Sequence, residues 1–383
     1  MTCQDDSIDA ILQSAVESGI TPGVVAMATD GTRTLYEGAF GHRQLGDPAA
    51  MTRDTIFWIA SLTKAITSVA AMQLVEQGRI GLHQPLGAVV PKLTNPQVLE
   101  GLDRQDQPIL RPAAREVTLH DLLTHTSGYV YEMWNASLGR YVRVTGKPGG
   151  GSGLNASLEM PLAFDPGSRW EYGIGIDWVG KVVEAVSGQT LGQYLAQHIT
   201  GPLGMVDTQF GRPDSNRVAT IHHRAADGSL APGKPARPTK PELEGGGGGL
   251  YSTAPDYLAF LSALLRGGGG LLRPETVAMM GQNQIGALPV GPLLTVMPGA
   301  SRDAEFFPGM PKGWGYGFLI NTAPGHAGRS AGSLAWAGLA NCYYWIDPAR
   351  SVAGLLMTQI LPFADPAVLG LLDRFESGLY ARL

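Results

Sequence analysis

Residues 58–78 read WIASLTKAITSVAAMQLVEQG: a Ser-x-x-Lys step from Ser61 to Lys64 runs straight into an apolar-periodic segment that Gly78 is placed to end. On a helix, side chains three apart share a face, which brings the Ser61 hydroxyl and the Lys64 amine within hydrogen-bond reach. The partial positive charge of a helix N-terminus favours a neutral lysine and a developing oxyanion. A neutral lysine can take the serine proton, so Ser61 is a candidate nucleophile and Lys64 its candidate partner. The tetrapeptide alone is weak, because Ser-x-x-Lys arises readily by chance and also reads as an ordinary helix start with an exposed lysine. Its placement and the residues around it must supply the rest.

Outward from this step, the two chain ends read as sheet. Ile8, Ile11, Leu12 and Val16 repeat at helical spacing with Gly19 as a stop, and GVVAMAT and TLYEGAF follow as strands around a DGT turn. At the other end LANCYYWID and SVAGLLMTQI read as paired strands around DPARS, and DPAVLGLLDRFESGLYARL as a closing helix. Between them VTLHDLLTHTSG, IDWVGKVVEAVSG and LGQYLAQHIT are helical patterns joined by stretches rich in Gly and Pro. The predicted division is an α/β sheet domain from 1–82 with 313–383, and a mostly helical domain from 83–312. The glycine runs at 149–151, 245–249 and 267–270 lack a collagen period and read as loops.

Composition narrows the function. With 44% hydrophobic residues the chain of 383 can fill a core, and with 16% charged residues and a net charge of -5 it has no basic surplus for nucleic acid or anionic lipid. No apolar run approaches the roughly 20 residues of a membrane helix. The N-terminus has acids before its first apolar residues and does not read as a signal peptide, so a cytoplasmic location is expected. A disulfide between Cys3 and Cys342, the two cysteines, is not expected; Cys342 reads as a small core residue. Two Gly-x-x-x-x-Gly-Lys stretches, ending at Lys181 and Lys234, lack the following Ser or Thr of a phosphate loop. His-Glu-x-x-His is absent, and His120, His125, His222 and His223 read as structural, so no metal or cofactor is expected.

WIASLTKAITSVAAMQLVEQGRIGL, LLTHTSGY, PLGM and GGGGLYSTAPDYLAFLSALLRGG together resemble the superfamily of class C β-lactamases and family VIII carboxylesterases, over most of the chain. The resemblance implies a β-lactamase/transpeptidase-like α+β fold: an antiparallel sheet flanked by helices, a mostly helical second domain, and an active site between them. It also assigns a second catalytic element to Tyr172, in Trp-Glu-Tyr172-Gly173-Ile174, and a third motif to Trp336-Ala337-Gly338. Tyr172 and Lys64 would then share a proton, with the phenolate stabilised by the ammonium and either group the base. The N–H groups of Ser61 and Leu339 would form the oxyanion hole, Gly338 allowing close approach.

Two departures bear on substrate. Ile174 stands where β-lactamases usually carry an asparagine, and Trp336 where they carry a lysine facing the drug's carboxylate, so Ile174, Trp336 and Gly338 are the candidate substrate contacts and polar anchoring is reduced. Arg329 is an alternative carboxylate contact. The expected activity is hydrolysis of a small-molecule carboxylic ester with a short to medium acyl chain, through an acyl-Ser61 intermediate. β-Lactamase or D-amino-acid peptidase activity, acyl transfer from the same intermediate, and non-catalytic ligand binding are the alternatives. The segment 285–312 is expected to border the cleft.

Overall fold

The computed structural model describes residues 7–383, which leaves Cys3 outside the described residues. Every residue of strand Gly23–Thr29 is buried, which fits a strand covered on both faces. It pairs antiparallel with Thr34–Gly41 on one side and Val352–Met357 on the other, Met27 lying opposite Glu37 and Leu355. The full order is Lys312–Trp314, Leu319–Asn321, Leu334–Gly338, Cys342–Asp347, Val352–Met357, Gly23–Thr29, Thr34–Gly41. One antiparallel sheet is thus assembled from both chain ends, as the β-lactamase/transpeptidase-like reading requires.

Side-chain alternation decides what covers each face. Tyr344 and Trp345 are neighbours on one strand and point to opposite sides. Trp345 meets Phe375 of the closing helix Pro366–Tyr380, which packs with Ile8–Glu17; Tyr344 meets Tyr257 of the helix Ala254–Leu265. Trp336 sits opposite Tyr344 in the ladder and therefore on the Tyr257 side. The helix Ala254–Leu265 comes from the middle of the chain, yet it packs on strands Val352–Met357 and Gly23–Thr29.

The helix Thr63–Glu76 is buried at every position from Thr63 to Leu74, so it runs through the core instead of lying on it. Gly78, with φ of 67°, follows its end. It packs against Gly175–Ser187, closed by Gly188 at φ 78°. The middle of the chain holds more strand than the pattern suggests. A hairpin joins Gln97–Leu102 to Pro108–Pro112, and in a small sheet Leu250–Thr253 lies between Ile56–Trp58 and Gln209–Phe210.

VTLHDLLTHTSG forms only the short helix Leu119–Leu123. Thr118 caps it in a reciprocal bond with Asp121, and His125 then turns into the left-handed region at φ 58°. His125 therefore lies beyond the helix and not within it. Cys342 is buried and free; its thiol donates to the Thr358 carbonyl at 3.1 Å, and burial pushes its pKa up to about 12. Among the described residues no helix is long and apolar enough to cross a membrane, and no cluster of His, Cys, Asp or Glu is arranged to hold a metal ion.

Candidate active site

Ser61 occupies a 3-10 turn, Ala60–Leu62, immediately ahead of the long helix. Ala60 holds φ of 45°, a left-handed conformation that costs an alanine roughly 1–2 kcal/mol and that tends to occur where a following side chain must be aimed. Three contacts fix this turn: Ile59 N–H donates to Leu250 C=O at 3.1 Å, the Tyr257 hydroxyl to Leu62 C=O at 3.0 Å, and Leu250 N–H to Thr63 Oγ1 at 3.2 Å.

Lys64 is 1% exposed, with Nζ 3.2 Å from Ser61 Oγ, 2.9 Å from the Tyr131 hydroxyl and 2.6 Å from Gly247 C=O. A neutral amine has two N–H donors and one lone pair. Two donors are matched by Tyr131 and Gly247, which leaves the lone pair for the Ser61 hydroxyl proton. Burial pulls the Lys64 pKa from 10.5 down to about 7; the Asp177 carboxylate works against that shift and the Arg237 guanidinium with it.

Tyr172 is buried, and its hydroxyl accepts the indole N–H of Trp336 at 2.9 Å and lies within reach of the Ser61 side chain. Lys64 Nζ faces the Tyr172 ring, 4.8 Å from its centroid, while its short oxygen contact goes to Tyr131. Burial raises the Tyr172 pKa strongly, and its bonds to Ser61 and Trp336 only partly offset this. Burial thus favours the protonated phenol over the expected phenolate that shares a proton with Lys64. Tyr172 places its hydroxyl beside Ser61.

Trp336 is 4% exposed, and its ring packs on Tyr172 and Trp314 at 4.7 Å each and on Phe306 at 5.3 Å. Its indole N–H is taken by the Tyr172 hydroxyl. A Cβ on Gly338 would lie 2.5 Å from the Ile59 carbonyl oxygen, so only glycine lets this strand run against the Ser61 turn. Leu339 follows, packed against the apolar cluster that includes Trp58 and Ala60. Ile174 is buried beside residues 149–151, whose Gly150 could not take a Cβ without meeting it at 3.0 Å.

Arg329 is committed elsewhere. Its Nε and Nη2 bond Glu376 at 2.7 and 2.6 Å in a buried pair, which corrects its proposal as a carboxylate contact. Both groups line an apolar cavity of about 340 Å³ between the sheet and the closing helix, which Trp336 and Phe306 also border. The segment 285–312 reaches this region, with Val296 N–H donating to Met133 C=O and Trp134 Nε1–H to Ser301 Oγ.

Sequence reasoning missed three residues: Tyr131, Asp177 and Gly247. Asp177, in the first turn of Gly175–Ser187, accepts Gly247 N–H at 2.9 Å, and Gly247 C=O in turn accepts from Lys64. A Cβ on Gly247 would stand 2.3 Å from Asp177 Oδ2. The run 245–249 is therefore a cradle whose carbonyls serve Lys64, Thr67 and Trp58, where a plain loop was expected. Asp177 carried no signal beyond an ordinary acidic helix start. His125, read as structural, packs on Tyr172 at 4.8 Å; burial holds it neutral, and its Nδ1 accepts Gly173 N–H.

A protein-family model, Beta-lactamase, matches residues 8–376. A lovastatin esterase of Penicillium rubens is 31% identical, aligned over 98% of this chain and 98% of that protein. A monacolin J acid methylbutanoyltransferase of Aspergillus terreus is 33% identical over 98% of this chain and 95% of its own. Among solved structures, unliganded simvastatin synthase from Aspergillus terreus superposes with a TM-score of 0.83 at 31% identity, over 99% of this chain and 98% of that one.

Proposed function

The chain belongs to the β-lactamase family, and from that premise we propose that it is a serine esterase acting through an acyl-Ser61 intermediate on carboxylic esters of short to medium acyl chains. The observation that carries this reading is the buried Lys64, poised with its lone pair on Ser61 Oγ and drawn to a pKa of about 7. Ser61 Oγ attacks the acyl carbon as its proton passes to Lys64. The N–H groups of Ser61 and Leu339 receive the oxyanion, and Tyr172 donates toward the departing alkoxide. Water then attacks the acyl-enzyme by the same route in reverse. Ile174 and Trp336, both buried and apolar, support ester over lactam because neither offers a charge or an amide partner to a β-lactam.

A second reading keeps the acyl-enzyme and passes the acyl group to an alcohol, and it is favoured by the 33% identity to a methylbutanoyltransferase. One experiment addresses both. Burst kinetics on p-nitrophenyl butanoate, with and without an added alcohol and with a cephalosporin in parallel, should give rapid ester cleavage and little cephalosporin loss. Faster cephalosporin cleavage would overturn the esterase reading, and a new ester in place of the acid would select acyl transfer.

The pH dependence has a definite sign. Attack needs the neutral amine, so kcat/KM should rise with pH through about 7 as Lys64 loses its proton. Asp177→Asn should move this limb to lower pH, because the carboxylate stabilises the ammonium while an amide oxygen can still accept Gly247 N–H. A limb unmoved by the substitution assigns it to another group. Trp336→Phe removes the N–H donor that orients Tyr172 and should lower kcat roughly tenfold, with little effect on KM. An unchanged kcat would make Trp336 a packing residue only.

A further inference from the structure

Arg237 is a half-buried cation at the edge of the site. Its guanidinium lies over the Trp58 ring, 5.5 Å from the centroid, and donates through Nη1 to the Gly151 carbonyl. Trp58 is itself fixed, its indole N–H donating to Gly248 C=O at 2.8 Å. A Cβ built on Gly248 would stand 3.9 Å from Arg237 Nη2 and 3.7 Å from the Ala60 carbonyl carbon, so one glycine touches both the cation and the turn that carries Ser61. Neighbouring Gly150 abuts Tyr131 and Ile174. Arg237 thus ties the glycine run 149–151 to the run 245–249, close to Tyr131, Ile174 and Trp58.

Among the described residues this cation has no anion of its own: no carboxylate reaches it within ion-pair distance. Asp177, which feels its charge, is buried and already holds Gly247 N–H. A guanidinium has five N–H donors in a planar fork, and one carbonyl leaves most of that fork unused. A stacked, partly dehydrated arginine in this state is suited to bidentate recognition of a carboxylate.

We infer that Arg237 is a specificity residue that binds a free carboxylate on the substrate, making the preferred substrates esters whose acyl or alcohol part also carries an acid group. The inference rests on the acyl-Ser61 reading. It relocates to Arg237 the anchoring lost with Trp336 in the third motif, and it accounts for a cation held between two glycine runs instead of extended into solvent.

The test is a selectivity ratio. Two pairs of esters are compared: 3-carboxyphenyl butanoate with its methyl ester, and phenyl hydrogen glutarate with phenyl methyl glutarate. Arg237 also opposes protonation of Lys64, so removing it changes neutral and anionic esters together; the ratio within a pair isolates recognition. In Arg237→Gln the anionic-to-neutral ratio of kcat/KM should fall about tenfold for at least one pair, and Arg237→Lys should recover part of it. A ratio unchanged in both pairs overturns the assignment. A second readout does not need turnover: Trp58 fluorescence in the Ser61→Ala protein, titrated with 3-phenylpropanoate. Saturable binding should weaken about tenfold with Arg237→Gln added, and binding unaffected by that change also overturns the assignment. Intact carboxylate binding with no turnover of any ester would instead count against the acyl-Ser61 reading alone.

Discussion

Ser61→Ala is expected to lose ester turnover by at least about 10³-fold, the scale on which removal of a nucleophile acts where binding and oxyanion contacts remain. The substitution deletes one oxygen whose named partners are Lys64 and Tyr172. The turn itself is held by Ile59, Leu62 and Thr63, not by the Ser61 side chain, so thermal unfolding should stay close to that of the parent protein. Intact-protein mass spectrometry after mixing with p-nitrophenyl butanoate gives an independent reading. The parent should gain one butanoyl group and the variant none. Turnover that survives at the parental rate would remove Ser61 from the chemistry.

Lys64→Met is expected to lower kcat by roughly 10²- to 10⁴-fold, the range ascribed to general acid–base catalysis, and to abolish the limb near pH 7. The fold should tolerate it because two effects oppose each other. Tyr131 and Gly247 each lose a donor, at about 1–3 kcal/mol for each group left unsatisfied, while an amine that is 1% exposed no longer has to be desolvated. A pH profile read alongside a melting curve separates the cases. Loss of activity with a retained limb would mean that Lys64 positions Ser61 and another group titrates. Loss of both, with the melting temperature kept, identifies the amine as the base.

The sequence alone reached the sheet built from both ends, the helix behind Ser61 and the pairing of Ser61 with Lys64, but not that this helix is buried all round. Each depends on short-range physics: apolar runs bounded by turn residues in GVVAMAT and SVAGLLMTQI, helical spacing after Ser61, and the three-residue step that places an amine beside a hydroxyl. Tyr172 and Trp336 were reached through resemblance, but their relation was not, because 164 residues separate the indole N–H from the hydroxyl that accepts it. Tertiary structure alone decided how burial biases the two protonation equilibria. The same burial lowers the pKa of Lys64 and raises that of Tyr172, and no local pattern states how deeply either side chain will be enclosed. It also decided that residues 245–249 form a cradle, since glycine marks where backbone passes closely but not what it passes, and only folding brings Asp177 within 2.9 Å of the Gly247 amide.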